Sequence, residues 1–189
     1  MLSYTEIKKG TIIVYENEPY EILEHSFLRM QQRKAVAQTK MKNLINGKIL
    51  SRNFQASDYF EEANIERKEA IFIYANRGEY WFHEKGDPRS RFSLKAEAIG
   101  EGANFLKPQT EVEMVIFNGR VINVIMPIKI DFKVIEAPPA IRGNTAQGGS
   151  KQITLEGGVK ISAPLFIEEG DIVKINTQTG EYVERAEKN

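Results

Sequence analysis

The run Leu28-Arg29-Met30-Gln31-Gln32-Arg33-Lys34 lacks strand alternation, yet it lies between two segments that read as strands. Ile22 to Phe27 leads in, and Ala35 to Leu44 leads out. In the outgoing segment Gln38, Lys40 and Lys42 share one face, and Ala37, Thr39 and Met41 share the other. The reading is a β-hairpin with its lysines pointing outward together. From His25 through Ser57 there is no Asp or Glu, but seven cations: Arg29, Arg33, Lys34, Lys40, Lys42, Lys48 and Arg52. A formal net charge of zero for the whole chain conceals this window. Charge placed this way suits phosphate binding. On charge alone, a solvated sheet face reads the same way.

Working outward, the first third reads as a small β-barrel. Thr11 to Tyr15 is β-branched and aromatic, hence a strand. Glu16 to Pro19 is expected to turn, with Pro19 fixing its dihedral. Asn46-Gly47 predicts a two-residue hairpin turn before a strand from Lys48 to Phe54. Residues 55–67, with Asp58, Glu61, Glu62 and Glu66, read as an acidic connector.

In the middle third, strands are expected at Glu69–Ala75, Glu79–His83, Glu111–Phe117 and Arg120–Met126. Turns fall at Asn76-Arg77-Gly78 and Asn118-Gly119. Lys85 to Arg91 reads as a loop, and Phe92 to Ile99 as a short helix stopped by Gly100 and Gly102. The last third opens on Ile128, Ile130, Phe132 and Val134 facing one way. A long polar loop follows over Pro138-Pro139 and Gly143 to Ser150, then four short strands. The fold class is all-β. Modules of about sixty residues sit near the lower size limit for an independent core, so they are expected to pack on one another.

Composition excludes several classes of activity. Hydrophobic content of 41% and charged content of 28% belong to a globular protein. No apolar run approaches a membrane span. The N-terminus lacks signal-peptide character. The expected location is the cytoplasm. The absence of cysteine removes disulfides, thiolate metal sites and cysteine nucleophiles. No Gly-rich phosphate loop appears, and the two histidines, His25 and His83, lie in separate modules. An enzyme, a metal site and a cofactor are therefore not expected. A general single-stranded RNA binder using aromatic platforms remains open.

Two stretches carry a family likeness. One is the tail from Lys151-Gln152-Ile153-Thr154-Leu155-Glu156-Gly157-Gly158 through Pro164-Leu165-Phe166 to Gly170-Asp171, with Thr177-Gln178-Thr179-Gly180-Glu181-Tyr182-Val183-Glu184-Arg185. The other is the hairpin with Phe27, Lys40, Lys42, Asn43, Leu44, Gly47 and Lys48. Together they resemble bacterial translation elongation factor P. The resemblance implies three barrels in an L-shaped, tRNA-like arrangement. These are an SH3-like (KOW-like) module over 1–65 and oligonucleotide-binding (OB) folds over 66–127 and 128–189.

The resemblance also implies a monomer that binds the 70S ribosome between the P and E sites. There the tip, Arg29, Met30, Gln31, Gln32, Arg33 and Lys34, would approach the peptidyl-transferase centre. The peptidyl-tRNA would be held and stalling at consecutive prolines relieved, with Lys40 and Lys42 on phosphates. Gly143, Asn144, Thr145, Tyr182 and Arg185 would contact the small subunit near the exit site. An ungapped count puts Gln32 where the family often has a modified Lys or Arg. The expectation is an unmodified tip gripped by Arg29 and Arg33. Lys107 is expected to be an uninvolved surface residue, and Arg185 to be exposed beside Glu184 or Glu187.

Overall fold

The computed structural model describes residues 1–28, 36–139 and 149–188, with Leu28 described by its backbone alone. Its described strands form three antiparallel sheets of six, five and five members. The first holds β1 (Leu2–Ser3), β2 (Ile12–Tyr15), β3 (Glu18–Leu28), β4 (Val36–Asn43), β5 (Ile49–Phe54) and β6 (Tyr59–Glu62). Their order is β1-β6-β2-β3-β4-β5. The alternation expected along the outgoing arm is present: Ala37, Thr39, Met41 and Asn43 are buried between the more exposed Gln38, Lys40 and Lys42. Ile7, Ile13, Ile22, Met41, Phe54 and Phe60 fill the core.

The second sheet holds β7 (Ile65–Asn76), β8 (Glu79–Glu84), β9 (Asp87–Lys95), β10 (Glu111–Phe117) and β11 (Arg120–Ile125). Between β9 and β10 come one helical turn, α1 (Ala96–Ile99), and a 3-10 turn over Glu101–Phe105. The third sheet holds β12 (Lys129–Glu136), β13 (Ser150–Leu155), β14 (Lys160–Pro164), β15 (Ile172–Asn176) and β16 (Tyr182–Glu187). The two orders, β11-β10-β7-β8-β9 and β14-β13-β12-β15-β16, are the same topology in mirror listing. In both, the third and fifth strands come back against each other, β9 on β11 and β14 on β16. A five-stranded sheet closed this way is the OB arrangement.

Several expected elements differ. The first turn is only Glu16-Asn17, both at positive φ; Glu18 and Pro19 already pair with Tyr15 and Val14. Asn46-Gly47 is not a two-residue turn. Strand β4 ends at Asn43, whose buried side chain accepts hydrogen bonds from the Ile45 and Asn46 amides at 2.8 and 3.1 Å. That side chain organises a longer loop in which Gly47 takes the left-handed turn. The acidic connector contains β6, which pairs with both β1 and β2 and buries Phe60. Lys85 to Arg91 is not a loop: β9 starts at Asp87, and the helix expected from Phe92 shrinks to Ala96–Ile99. Pro88 sits in the bulge of the β8–β9 pairing, between Asp87 opposite Glu84 and Arg91 opposite His83. Ile128 is 56% exposed, outside the inward row of Ile130, Phe132 and Val134.

The barrels meet through named contacts. Phe105 leaves the middle barrel's connector and joins the third barrel's core, edge-to-face with Phe132 at 6.1 Å. Lys107 lies at the same seam. Its Nζ donates to the Asp131 carbonyl, pairs with Glu156 at 3.1 Å and lies 5.3 Å from the Phe132 ring centroid. The Thr177 hydroxyl donates to the Pro127 carbonyl at 2.7 Å. Between the first two barrels, Asn123 Nδ2 donates to the Leu44 carbonyl at 3.0 Å. A cleft of about 680 Å³ opens beside it, lined by Glu21, Lys42, Arg67, Ile99 and Gln178 among others.

Candidate nucleic-acid interface

The hairpin arm is built by register. Phe27 faces Ala37, His25 faces Thr39 and Glu24 faces Lys40. The register slips once between Ile22 and Glu24, leaving Leu23 as a bulge, and Glu21 then faces Lys42. The outgoing arm is therefore not purely basic in space. Lys40 Nζ pairs with Glu24 at 3.2 Å, and Glu21 stands opposite Lys42. The acids precede His25 in sequence, so a linear window misses them, while counting back from the tip finds them.

Beneath the tip the arm is stiffened by aromatic packing. Phe27 is 48% exposed and meets Tyr4 edge-on at 5.9 Å and His25 edge-on at 4.9 Å. His25 Nδ1 shares a hydrogen bond with the Thr39 hydroxyl at 2.9 Å. Burial lowers the His25 pKa, with the Tyr4 backbone pulling the other way. Burial therefore favours the neutral ring at this place in the arm.

Of the expected tip, Arg29, Met30, Gln31, Gln32, Arg33 and Lys34 lie outside the described residues, as do Gly143, Asn144 and Thr145. Lys40 and Lys42 lie on the arm's outer face, where Lys40 is tied to Glu24 and Lys42 borders the cleft between barrels. Tyr182 starts β16 and packs against the third core. Arg185 pairs with neither Glu184 nor Glu187. Its Nη1 sits 3.4 Å from Asp171 Oδ2, a side chain 1% exposed, and its guanidinium lies 5.2 Å over the Phe166 ring. Glu184 instead pairs with Lys174 at 2.8 Å, which lowers the Glu184 pKa and raises that of Lys174. Sequence reading missed Asp171 and Phe166. Only the β15–β16 register brings Asp171 to Arg185.

Among the described residues no cluster of three or more His, Asp or Glu side chains is placed to hold a metal, and no helix is long and apolar enough to cross a membrane. The molecule is an all-β protein with two OB-type barrels and a hairpin-bearing first barrel. Family models match all three parts in order. They are an elongation factor P KOW-like domain over residues 3–60, an elongation factor P OB domain over 65–124, and an elongation factor P C-terminal domain over 130–185. Elongation factor P of Thermodesulfovibrio yellowstonii is 35% identical over 188 residues, covering 100% of both chains. Those of Moorella thermoacetica and Thermotoga petrophila are 34% and 36% identical over 186 residues, covering 98% of this chain and 100% of theirs. The chain belongs to the elongation factor P family, which are translation factors and not enzymes.

Proposed function

We propose that the protein binds the 70S ribosome between the P and E sites and promotes peptide-bond formation at consecutive prolines. The three parts divide near residues 65 and 127. The hairpin of the first barrel reaches toward the acceptor end of peptidyl-tRNA. Bond formation there requires two ends held in register and no protein acid or base, so restraint of the acceptor arm lowers its entropic cost. Arg29, Arg33 and Lys34, with Lys40 and Lys42 on the arm, neutralise phosphates and set position without reading sequence. Gln31 and Gln32, with Met30 between them and Arg29, offer donors and acceptors to 2′-hydroxyls and base edges. Gln32 works unmodified. At the other end Gly143, Asn144, Thr145, Tyr182 and Arg185 face the small subunit. The protein acts in the cytoplasm as a monomer.

The observation that carries this reading is membership of the family along the whole chain. Placement of the cations on one hairpin supports it further. The test is in vitro translation of a message with consecutive prolines. Arg33→Ala is expected to lose most of the rescue, and Gln32→Ala part of it. Arg89→Ala, exposed on edge strand β9, should match wild type. Equal rescue by wild type and Arg33→Ala would remove the tip from the mechanism. A mass shift on native Gln32 or Lys34 would refute the unmodified tip.

A further inference from the structure

The third barrel carries an aromatic cleft whose lining includes Tyr182, one of the residues assigned above to the small subunit. It measures about 750 Å³ and is lined by Ser150, Ser162, Leu165, Phe166, Glu181 and Tyr182 among others. Ser150 starts β13, Ser162 lies in β14, Leu165 and Phe166 follow β14 directly, and Glu181 and Tyr182 close the turn that joins β15 to β16. In an OB barrel that is the end where oligonucleotides bind, at the second and third strands and the loop before the fifth. Phe166 is 57% exposed, which is unusual for a large aromatic beside a complete core. Its ring is nevertheless not loose. Arg185 packs over it at 5.2 Å, and Arg185 is anchored in turn by the buried Asp171 carboxylate. Arg185 lies over the ring and is not among the residues that line the cleft.

We propose that this cleft takes an unpaired RNA base stacked on Phe166, with Arg185 as a positioning residue for the platform. The proposal rests on the translation-factor reading for the presence of RNA, but the site stands on its own geometry. A fixed aromatic face backed by a cation is the element that single-strand binders use, because every base has a π-face. A mainly apolar lining with a few polar groups suits a flat base with polar edges. The hydroxyls of Ser150 and Ser162 can donate or accept, and the Glu181 carboxylate can accept from an exocyclic amine.

The test is an NMR titration of the full chain with single-stranded hexaadenylate at 0.5 M KCl, where phosphate contacts are screened. Upfield shifts confined to Phe166, Ala163 and Tyr182, saturating with added RNA, are expected. Phe166→Leu keeps an apolar side chain at an exposed position and should fold. It should weaken binding by about five- to 150-fold, the range for loss of one stacked base. Shifts scattered over other faces, no shifts at all, or equal binding by Phe166→Leu would overturn the site. So would an apolar hexapeptide that moves the same signals while the RNA does not. Sedimentation of wild type with ribosomes separates the two readings. Co-sedimentation without hexamer binding sinks the stacking site alone, whereas hexamer binding without co-sedimentation sinks the ribosomal reading and leaves the site.

Discussion

The joint between the second and third barrels and the joint between the first and second are made of different chemistry. In the former, Phe105 is donated by one barrel to the core of the next and is 7% exposed there. Lys107 pins the same seam with an ion pair, a carbonyl contact and a ring contact. Two glycines let the surfaces close. A Cβ on Gly102 would stand 3.0 Å from Met126 Sδ, and one on Gly180 would stand 3.3 Å from the Phe105 ring. The other joint is linked by the Asn123 to Leu44 hydrogen bond beside an open, partly charged cleft. Burying an aromatic ring stabilises by several kcal/mol, while one half-buried hydrogen bond nets about 1 kcal/mol. The difference predicts that the second and third barrels move as one stiff body and that the first turns at the thinner joint.

The largest expected effect is at Phe105. Replacing it with Ala empties a place in a core that its own barrel does not own, and should cost about 3–5 kcal/mol. The loss should appear in urea unfolding as an earlier transition of the third barrel, read by amide exchange at Val134 and Val173. Loss confined to the middle barrel would break the comparison.

Gly180→Ala comes next. Gly180 has φ of 71°, a conformation that L side chains rarely adopt, and the added methyl would press on Phe105. The expected cost is about 1–3 kcal/mol, measured by the same unfolding experiment. A substitution at Gly119, φ 74° with open space around it, should show the backbone part alone.

Asn123→Ala should cost only about 0.5–1.5 kcal/mol at the other joint. Its signature is faster amide exchange around Leu44, with the third barrel unchanged. A cost as large as that at Phe105 would reverse the ranking of the two joints.

The smallest effect is with pH. Burial places the folded pKa of His25 below its unfolded value of about 6.5. Between the two values the unfolded chain binds more protons, so stability of the first barrel should fall as pH drops from about 6.5 and be flat above. His25→Phe should flatten that part of the profile. A profile unchanged by the substitution would show that another group carries the slope.

Much of the fold could be read from local chemistry. Asn118-Gly119 turns as expected, and the turn expected at Asn76-Arg77-Gly78 narrows to Arg77-Gly78, because both central residues take positive φ and Asn76 already pairs with Glu79. The outgoing hairpin arm alternates as written because one face meets a core. What escaped was non-local. Asn46-Gly47 lost its turn to the side chain of Asn43. Strand β6 was hidden among acids on its solvent face, its partners more than forty residues earlier. Pro88 disguised an edge strand as a loop. Most of the candidate site follows the same rule. The cations were legible, but Glu24 against Lys40, Asp171 against Arg185, and Phe105 in a neighbour's core depend on register and on docking, which no window of sequence contains.

The direct test of the stiff body and its thin joint is ¹⁵N relaxation on the intact protein, analysed barrel by barrel. The second and third barrels should share one rotational diffusion tensor, with the first showing a shorter effective correlation time. A single tensor for the first and second barrels, with the third moving apart from them, would contradict the account.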